Sequence, residues 1–250
     1  MNTRIPDDKR RLDHQLKRDQ YLNLFISNIK KNKNFTFTKY GDGELTCMSG
    51  GEGKNCDGHP YSEELGSALK KSMLRNAVRE DVFLGDWTGW DGDSLSKYRD
   101  ELLGEEIKPN YVLYEVLLNH EFAPNSDLLQ LHEAIKYSTA RKIFVGPERL
   151  WEVSNVLNCY YHVRVPLVDS FSEYDRILNK CLTLMKPNDI FLFSCGLPSK
   201  ILIDEMLEEE KDLTCLDFGS GFDNILLDEA TRQGQVPPVL MKDFYKKLLT

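Results

Sequence analysis

The sequence predicts an α/β fold, an open and mostly parallel sheet with helices on both faces. Three observations carry that expectation. Short runs rich in Val, Ile, Leu and Phe alternate with stretches of helical periodicity through the second half of the chain. Glycine or proline closes several of these runs, at Gly146-Pro147, Gly196-Leu197-Pro198 and Gly219. The separations between runs leave room for the crossover helices that parallel strands require.

The elements follow in order. Leu12, Leu16, Leu22, Phe25 and Ile29 recur at helical spacing, so a helix is expected over about residues 8–33. Phe35-Thr36-Phe37-Thr38 alternates and reads as a strand running into Lys39-Tyr40. Gly41, Gly43, Gly50, Gly51, Gly53 and Gly58 then mark a loop, not a core element. Tyr61 to Val78 returns to helical spacing through Leu65, Leu69, Met73 and Ala77. Val82-Phe83-Leu84 reads as a buried strand opening into a second loop, Gly85 to Asp93.

Farther on, Ile143-Phe144-Val145 predicts a strand, followed by a helix through Leu157. His162 to Val165 is a strand and Phe171 to Met185 a helix. Ile190 to Phe193 is a strand and the next helix runs to about Glu209. Leu213 to Phe218 is the last strand, ending at Gly219-Ser220-Gly221. No linker or repeat interrupts this order. One domain over residues 1–250 is expected, with a core over about 35–222 and a tail over about 223–250 that Pro237-Pro238 breaks.

Composition narrows the function classes. A chain of 250 residues with 41% hydrophobic content can bury a sizeable core. Its 32 basic and 40 acidic residues give a net charge of −8, which argues against a general nucleic-acid binder. No apolar run is long enough for a transmembrane segment, and the charged opening MNTRIPDDKRRLDHQLKRDQ lacks a signal-peptide core. A cytoplasmic location is expected. The six cysteines form no CxxC pair, so no disulfide framework is expected.

Four constellations carry chemistry, each with an ordinary structural alternative. Tyr40-Gly41-Asp42-Gly43-Glu44 puts two carboxylates on a turn whose glycines, Gly41 and Gly43, allow close backbone approach. Asp42 and Glu44 together suit a hard divalent cation, Mg²⁺ or Mn²⁺, of the kind that bridges substrate phosphates. The alternative is a solvated Asp-Gly turn. The loop from Asp86 to Asp93 holds Trp87 and Trp90, whose faces suit a sugar ring or base, with Asp86 as a potential general base. Its alternative is tryptophans packed on the core.

The junction Ser194-Cys195-Gly196-Leu197-Pro198-Ser199-Lys200 offers a helix start, with Ser199 and Lys200, to an anion at the carboxyl edge of the sheet. Gly146-Pro147 reads more simply as helix initiation. Asp169-Ser170-Phe171, with Glu173 and Asp175, is either a helix cap or a carboxylate at the same edge. Cys47, Cys56 and His59 match no common zinc spacing.

The segment Lys39-Tyr40-Gly41-Asp42-Gly43-Glu44-Leu45 resembles the R-[FY]-G-D-G-E segment of the bacterial GT-D-type glycosyltransferases, which carry an Asp-x-Glu metal motif. Val165-Pro166-Leu167 with Asp169-Ser170-Phe171 and Glu173-Tyr174-Asp175 is similar to the family's VP…NAF…YDEI segment. Phe193 to Ser199 is similar to its SLGPTA junction, and Cys215-Leu216-Asp217-Phe218-Gly219 to its AIDIG strand. The ordered matches span roughly residues 35–222. The chain departs from the pattern at Lys39, where the family usually has Arg, at Ser220, where it often has His, and at Leu197 and Lys200, where it tends to small residues.

The resemblance implies a Rossmann-like, GT-D-like fold and a metal-dependent transferase. That enzyme would move a sugar from a nucleotide-sugar donor, a UDP-sugar by expectation, to a hydroxyl of a glycan or glycoprotein acceptor. It implies Mn²⁺ or Mg²⁺ on Asp42 and Glu44. Gly196, Ser199 and Lys200 would take a phosphate or donor oxygen, Asp217 would bind ribose or support the site, Trp87 and Trp90 would line the pocket, and Asp86 or Asp169 would be the base. Two other readings stay open. One is a phage-type DNA glycosyltransferase acting on a hydroxymethylated base, with Lys70, Lys71, Arg75 and Arg79 as its basic stripe. The other is a non-catalytic nucleotide-sugar-binding module. The oligomeric state is left open.

Overall fold

The computed structural model describes the backbone of residues 8–86, 92–118 and 126–223, and side chains over 16–86, 94–118 and 128–223. Seven strands are present among these residues: β1 (Thr36–Lys39), β2 (Val82–Asp86), β3 (Asn110–Leu113), β4 (Lys142–Pro147), β5 (Tyr161–Val165), β6 (Ile190–Phe193) and β7 (Thr214–Asp217). Each pairs in parallel with its neighbours, in the order β3-β2-β1-β7-β6-β4-β5. The open, parallel α/β sheet expected from the sequence is therefore present.

Side-chain alternation along the strands builds a core on each face of the sheet. Phe191 and Phe193 join one cluster while Ile190 and Leu192 join the other. The first cluster is covered by α2 (Asp42–Met48), α3 (Glu63–Ala77), α4 (Gly92–Leu103), α7 (Tyr174–Leu184) and α8 (Ser199–Glu209). The second is covered by α1 (Asp8–Lys30), α5 (Ser126–Tyr137) and α6 (Trp151–Val156). Among the described residues no helix is long and apolar enough to cross a membrane.

Three differences from the sequence expectations have physical reasons. Asp42 to Met48, expected as loop, form α2, because Leu45, Cys47 and Met48 bury against α3 and outweigh the glycine content. In α1, Leu16 is exposed while Arg18 is buried and donates to the Leu118 carbonyl, so the buried stripe is narrower than the leucine spacing suggested. The elements α4, β3 and α5 occupy a stretch in which the sequence reading assigned none. The tail from residue 224 lies outside the described residues.

One core group sets an acid dependence. His132 of α5 packs against Phe218 and Phe222, with ring centroids 5.5 and 5.4 Å away. Burial pushes its pKa down from 6.5 to about 3. The folded value lies below the unfolded one, so this contribution is intact above pH 6.5 and is lost as the pH falls toward 3. Wild type is expected to lose up to about 1.4 kcal/mol per pH unit in that window relative to His132→Leu. Urea unfolding of both proteins across it checks this; equal slopes would refute it.

Candidate functional site

A cleft of about 510 Å³ opens at the carboxyl ends of β1, β4, β6 and β7. The strand order reverses here: β1 leads outward to β2 and β3, while β7 and β6 lie on its other side. Open α/β sheets bind ligands at such a reversal. Its wall includes the cations Lys39, Lys54, Arg149 and Lys200 and the acids Asp42, Glu44, Asp57 and Asp223, with His59, Tyr61 and Tyr114 between them.

The first wall is the start of α2. Gly41 is its N-cap, and the Gly41 N–H donates to Glu44 Oε2 at 2.9 Å. A side chain at Gly41 would collide with the Tyr114 hydroxyl, 2.5 Å from an ideal Cβ, so glycine permits that ring to close over the turn. Asp42 is exposed and lines the cleft, whereas Glu44 is buried. Both line the cleft, but Glu44 is held by the Gly41 N–H and Asp42 is not part of that contact.

The second wall is the start of α8. Gly196 has φ +73°, a conformation glycine adopts without strain, and an ideal Cβ there would lie 2.7 Å from His59 Nε2. Ser199 Oγ donates back to the Gly196 carbonyl at 2.7 Å and does not line the cleft. Lys200 is 2% exposed. Its Nζ lies 2.8 Å from Glu44 Oε1 and 3.0 Å from Asp217 Oδ2, and donates to Ser199 Oγ at 3.1 Å and the Gly196 carbonyl at 3.3 Å.

Lys200 is thus committed to protein oxygens, in contrast to the expected phosphate anchor. Burial alone would lower its pKa, but Asp217 and Glu44 outweigh it and hold the ammonium charged. Burial alone would raise the Glu44 carboxyl, but the Lys200 charge and the hydrogen bonds from Lys200 and Gly41 outweigh it and hold it below the usual range. Asp217 is fully buried at the end of β7, and its Oδ1 accepts from the Gly219 N–H at 3.1 Å. It does not line the cleft, so of its two expected roles, ribose contact or support of the site, the burial fits support.

The third wall is the loop between α2 and α3. Asn55 Oδ1 accepts from the N–H groups of Asp57 and His59 at 3.0 and 2.9 Å, an Asx turn that sets His59 over Gly196. His59 is 5% exposed, and its Nδ1 has no hydrogen-bond partner among the described residues. Burial lowers its pKa, against the opposing charge of Asp57, so the ring is neutral at physiological pH. Tyr61 is pushed up to about 12, first by burial and then by the Asp42 charge. Across the cleft, Arg149 pairs with Asp223 at 3.2 Å, and Lys39 Nζ lies 3.4 Å from the Phe218 carbonyl and over the Tyr114 ring.

Other expected residues fall elsewhere. Asp86, one of the two expected bases, ends β2, pairs with Arg99 of α4 at 2.5 Å and does not line the cleft. Asp169 is partly buried next to the lining residue Val168, near enough for its charge to act on His59. Trp87 and Trp90 lie outside the described residues. Cys47 is buried near the Ser62 carbonyl, apart from exposed Cys56, and does not complete a zinc site. Among the described residues no group of three or more His, Cys, Asp or Glu side chains is arranged to hold a metal ion. Sequence reasoning missed Tyr114 and Arg149, which carry no motif, and it weighed His59 only as a zinc ligand.

No protein-family model and no curated protein matches the chain. Solved structures do. A selenomethionine-substituted domain of unknown function 1792 is 18% identical, with a TM-score of 0.56, over 79% of this chain and 76% of that one. A domain of the same name, described as having a distinct glycosyltransferase fold, is 17% identical, with a TM-score of 0.54, over 82% and 81%. A Streptococcus sanguinis protein described as a new glycosyltransferase of that type is 13% identical, with a TM-score of 0.57, over 79% and 79%. The chain shares the fold of these domains.

Proposed function

We propose that the chain is a glycosyltransferase that moves a sugar from a nucleoside-diphosphate donor to an acceptor hydroxyl on a glycan or glycoprotein. The observation that carries this reading is the cleft at the strand-order reversal, which gathers the cations Lys39, Lys54, Arg149 and Lys200 beside the exposed carboxylate of Asp42. A diphosphate leaving group develops negative charge, and fixed cations in a partly enclosed site stabilise it. Neutral His59 can donate a hydrogen bond to a donor oxygen. Asp42 is the carboxylate best situated to accept from a sugar or acceptor hydroxyl. Leu167 and Val168, exposed at the rim, offer an apolar lip for a sugar face.

The expected pair of metal ligands does not fit this geometry. A divalent cation shared by Asp42 and Glu44 would sit beside the buried Lys200 ammonium that Glu44 Oε1 already holds at 2.8 Å, and like charges repel strongly there. No step is therefore assigned to a metal. The DNA acceptor loses its support as well. Arg75 and Arg79 of the basic stripe pair with Asp204, and Lys71 with Glu205, so three of its four charges are met within the fold.

The test is a binding and donor-hydrolysis panel of UDP-, GDP-, TDP- and CMP-sugars. Slow release of one nucleotide, lost in Asp42→Ala with the melting temperature unchanged, is the expected result. A UDP-sugar is the first expectation. Binding without turnover in any acceptor mixture would favour the non-catalytic module. No binding by a folded sample would refute both.

A further inference from the structure

We infer that the Lys200 ammonium stands where a divalent cation would have to bind, so that this site meets the donor diphosphate without a metal. The donor half of this inference rests on the function proposed above; the cation half does not. Four oxygens surround Lys200 Nζ: Glu44 Oε1 at 2.8 Å, Asp217 Oδ2 at 3.0 Å, Ser199 Oγ at 3.1 Å and the Gly196 carbonyl at 3.3 Å. An all-oxygen shell is what a hard cation takes, but Mg²⁺ needs oxygens at about 2.0–2.1 Å. This shell has the spacing of an ammonium.

The second oxygen of each carboxylate is also engaged. Glu44 Oε2 accepts from the Gly41 N–H and Asp217 Oδ1 from the Gly219 N–H. A second cation at Glu44 would approach the ammonium at close range in a buried setting, where like charges repel most strongly. Asp42 lines the same cleft but is exposed and makes no contact with this cluster among the hydrogen bonds and ion pairs of the described residues.

Position completes the argument. Lys200 lies in the first turn of an eleven-residue helix whose N-terminal end faces the cleft, so its charge adds to the helix dipole. Lys39 and Arg149 line the same cleft. The ammonium is tethered to the chain and held by Glu44 and Asp217, so it occupies their shared side at a fixed place and independent of ion supply.

The experiment has two arms on the full chain. In the first, Mn²⁺ is titrated against wild type, Lys200→Ala and Lys200→Ala/Glu44→Gln, with the free-ion electron paramagnetic resonance signal as readout. Wild type is expected to take up no Mn²⁺ through Glu44. Lys200→Ala is expected to gain a site and to melt higher with Mn²⁺, and the double variant to lose it. Mn²⁺ uptake by wild type that disappears in Glu44→Gln would overturn the inference, and this holds even if Lys200→Ala does not fold.

In the second arm, calorimetry compares binding of the donor nucleotide in EDTA and in Mn²⁺. Equal affinity is expected; a loss of roughly tenfold or more in EDTA would overturn the metal-free donor site. Failure of every nucleotide to bind in either condition would refute the transferase reading, while the Mn²⁺ arm still decides what lies between Glu44 and Asp217.

Discussion

Lys200→Met is expected to destabilise the fold by about 3–5 kcal/mol, because removing one partner of a buried ion pair strands the others. Here two carboxylates are stranded, Glu44 and Asp217, with 7% and 0% exposure. Urea unfolding at neutral pH measures the loss, and the pH dependence identifies its cause. In wild type the Glu44 pKa is held down, so its contribution is present above the unfolded value near 4.5 and is lost as the pH falls through the folded one. Without the ammonium, burial is left to raise that pKa, and acid then relieves the variant. The two stability curves should converge as the pH drops. A loss below about 1 kcal/mol, the scale of an exposed pair, would mean that the ammonium does not bridge these carboxylates.

Gly66→Ala should also be costly, against its helix propensity. Alanine in a helix interior normally gains about 1 kcal/mol over glycine. Gly66 lies within α3 where α2 crosses it, and an ideal Cβ there would fall 2.6 Å from the Cys47 carbonyl oxygen and 3.3 Å from its carbon. Those atoms are backbone and cannot swing aside. The expected outcome is a net loss of about 1–3 kcal/mol, the range for overpacking. Because α2 also carries Asp42 and Glu44, the same substitution should weaken donor binding. A variant as stable as wild type, or more stable, would show that the two helices separate without cost.

How much of this was legible in the sequence depends on how local each feature is. Strands β4, β6 and β7 announce themselves as apolar runs closed by Gly or Pro, and alternation marks β1. Strand β3 does not: Asn110–Leu113 is four residues long, at the sheet edge, with only Val112 buried. Helix α2 was hidden because Asp42-Gly43 reads as a turn, and its cap is glycine, which lacks the hydroxyl or carboxamide that flags a helix start. Once α2 forms, Glu44 is buried against Lys200 while Asp42 stays exposed, so the motif was visible and its geometry was not. The grouping of Glu44, Lys200 and Asp217 had no local signal at all. Only the adjacency of β1, β7 and β6 brings those positions together. His59 was nearer to legible, since Asn55-Cys56-Asp57-Gly58 has the composition of a tight turn that must aim the next side chain somewhere.

The sheet order has a consequence for assembly. Strands β3, β2 and β1 form one block and β6, β4 and β5 another, and the two blocks meet only through β7. That strand is the last of the seven in sequence, yet it occupies the centre of the sheet. Its neighbours β1 and β6 present unpaired inner edges until residues 214–217 slot between them. Loop-closure entropy makes so distant a pairing slow, and it cannot begin during synthesis until β7 has been made. The keystone strand also delivers Asp217, so the wedge that unites the two blocks and the carboxylate that completes the buried charge cluster arrive in one late event.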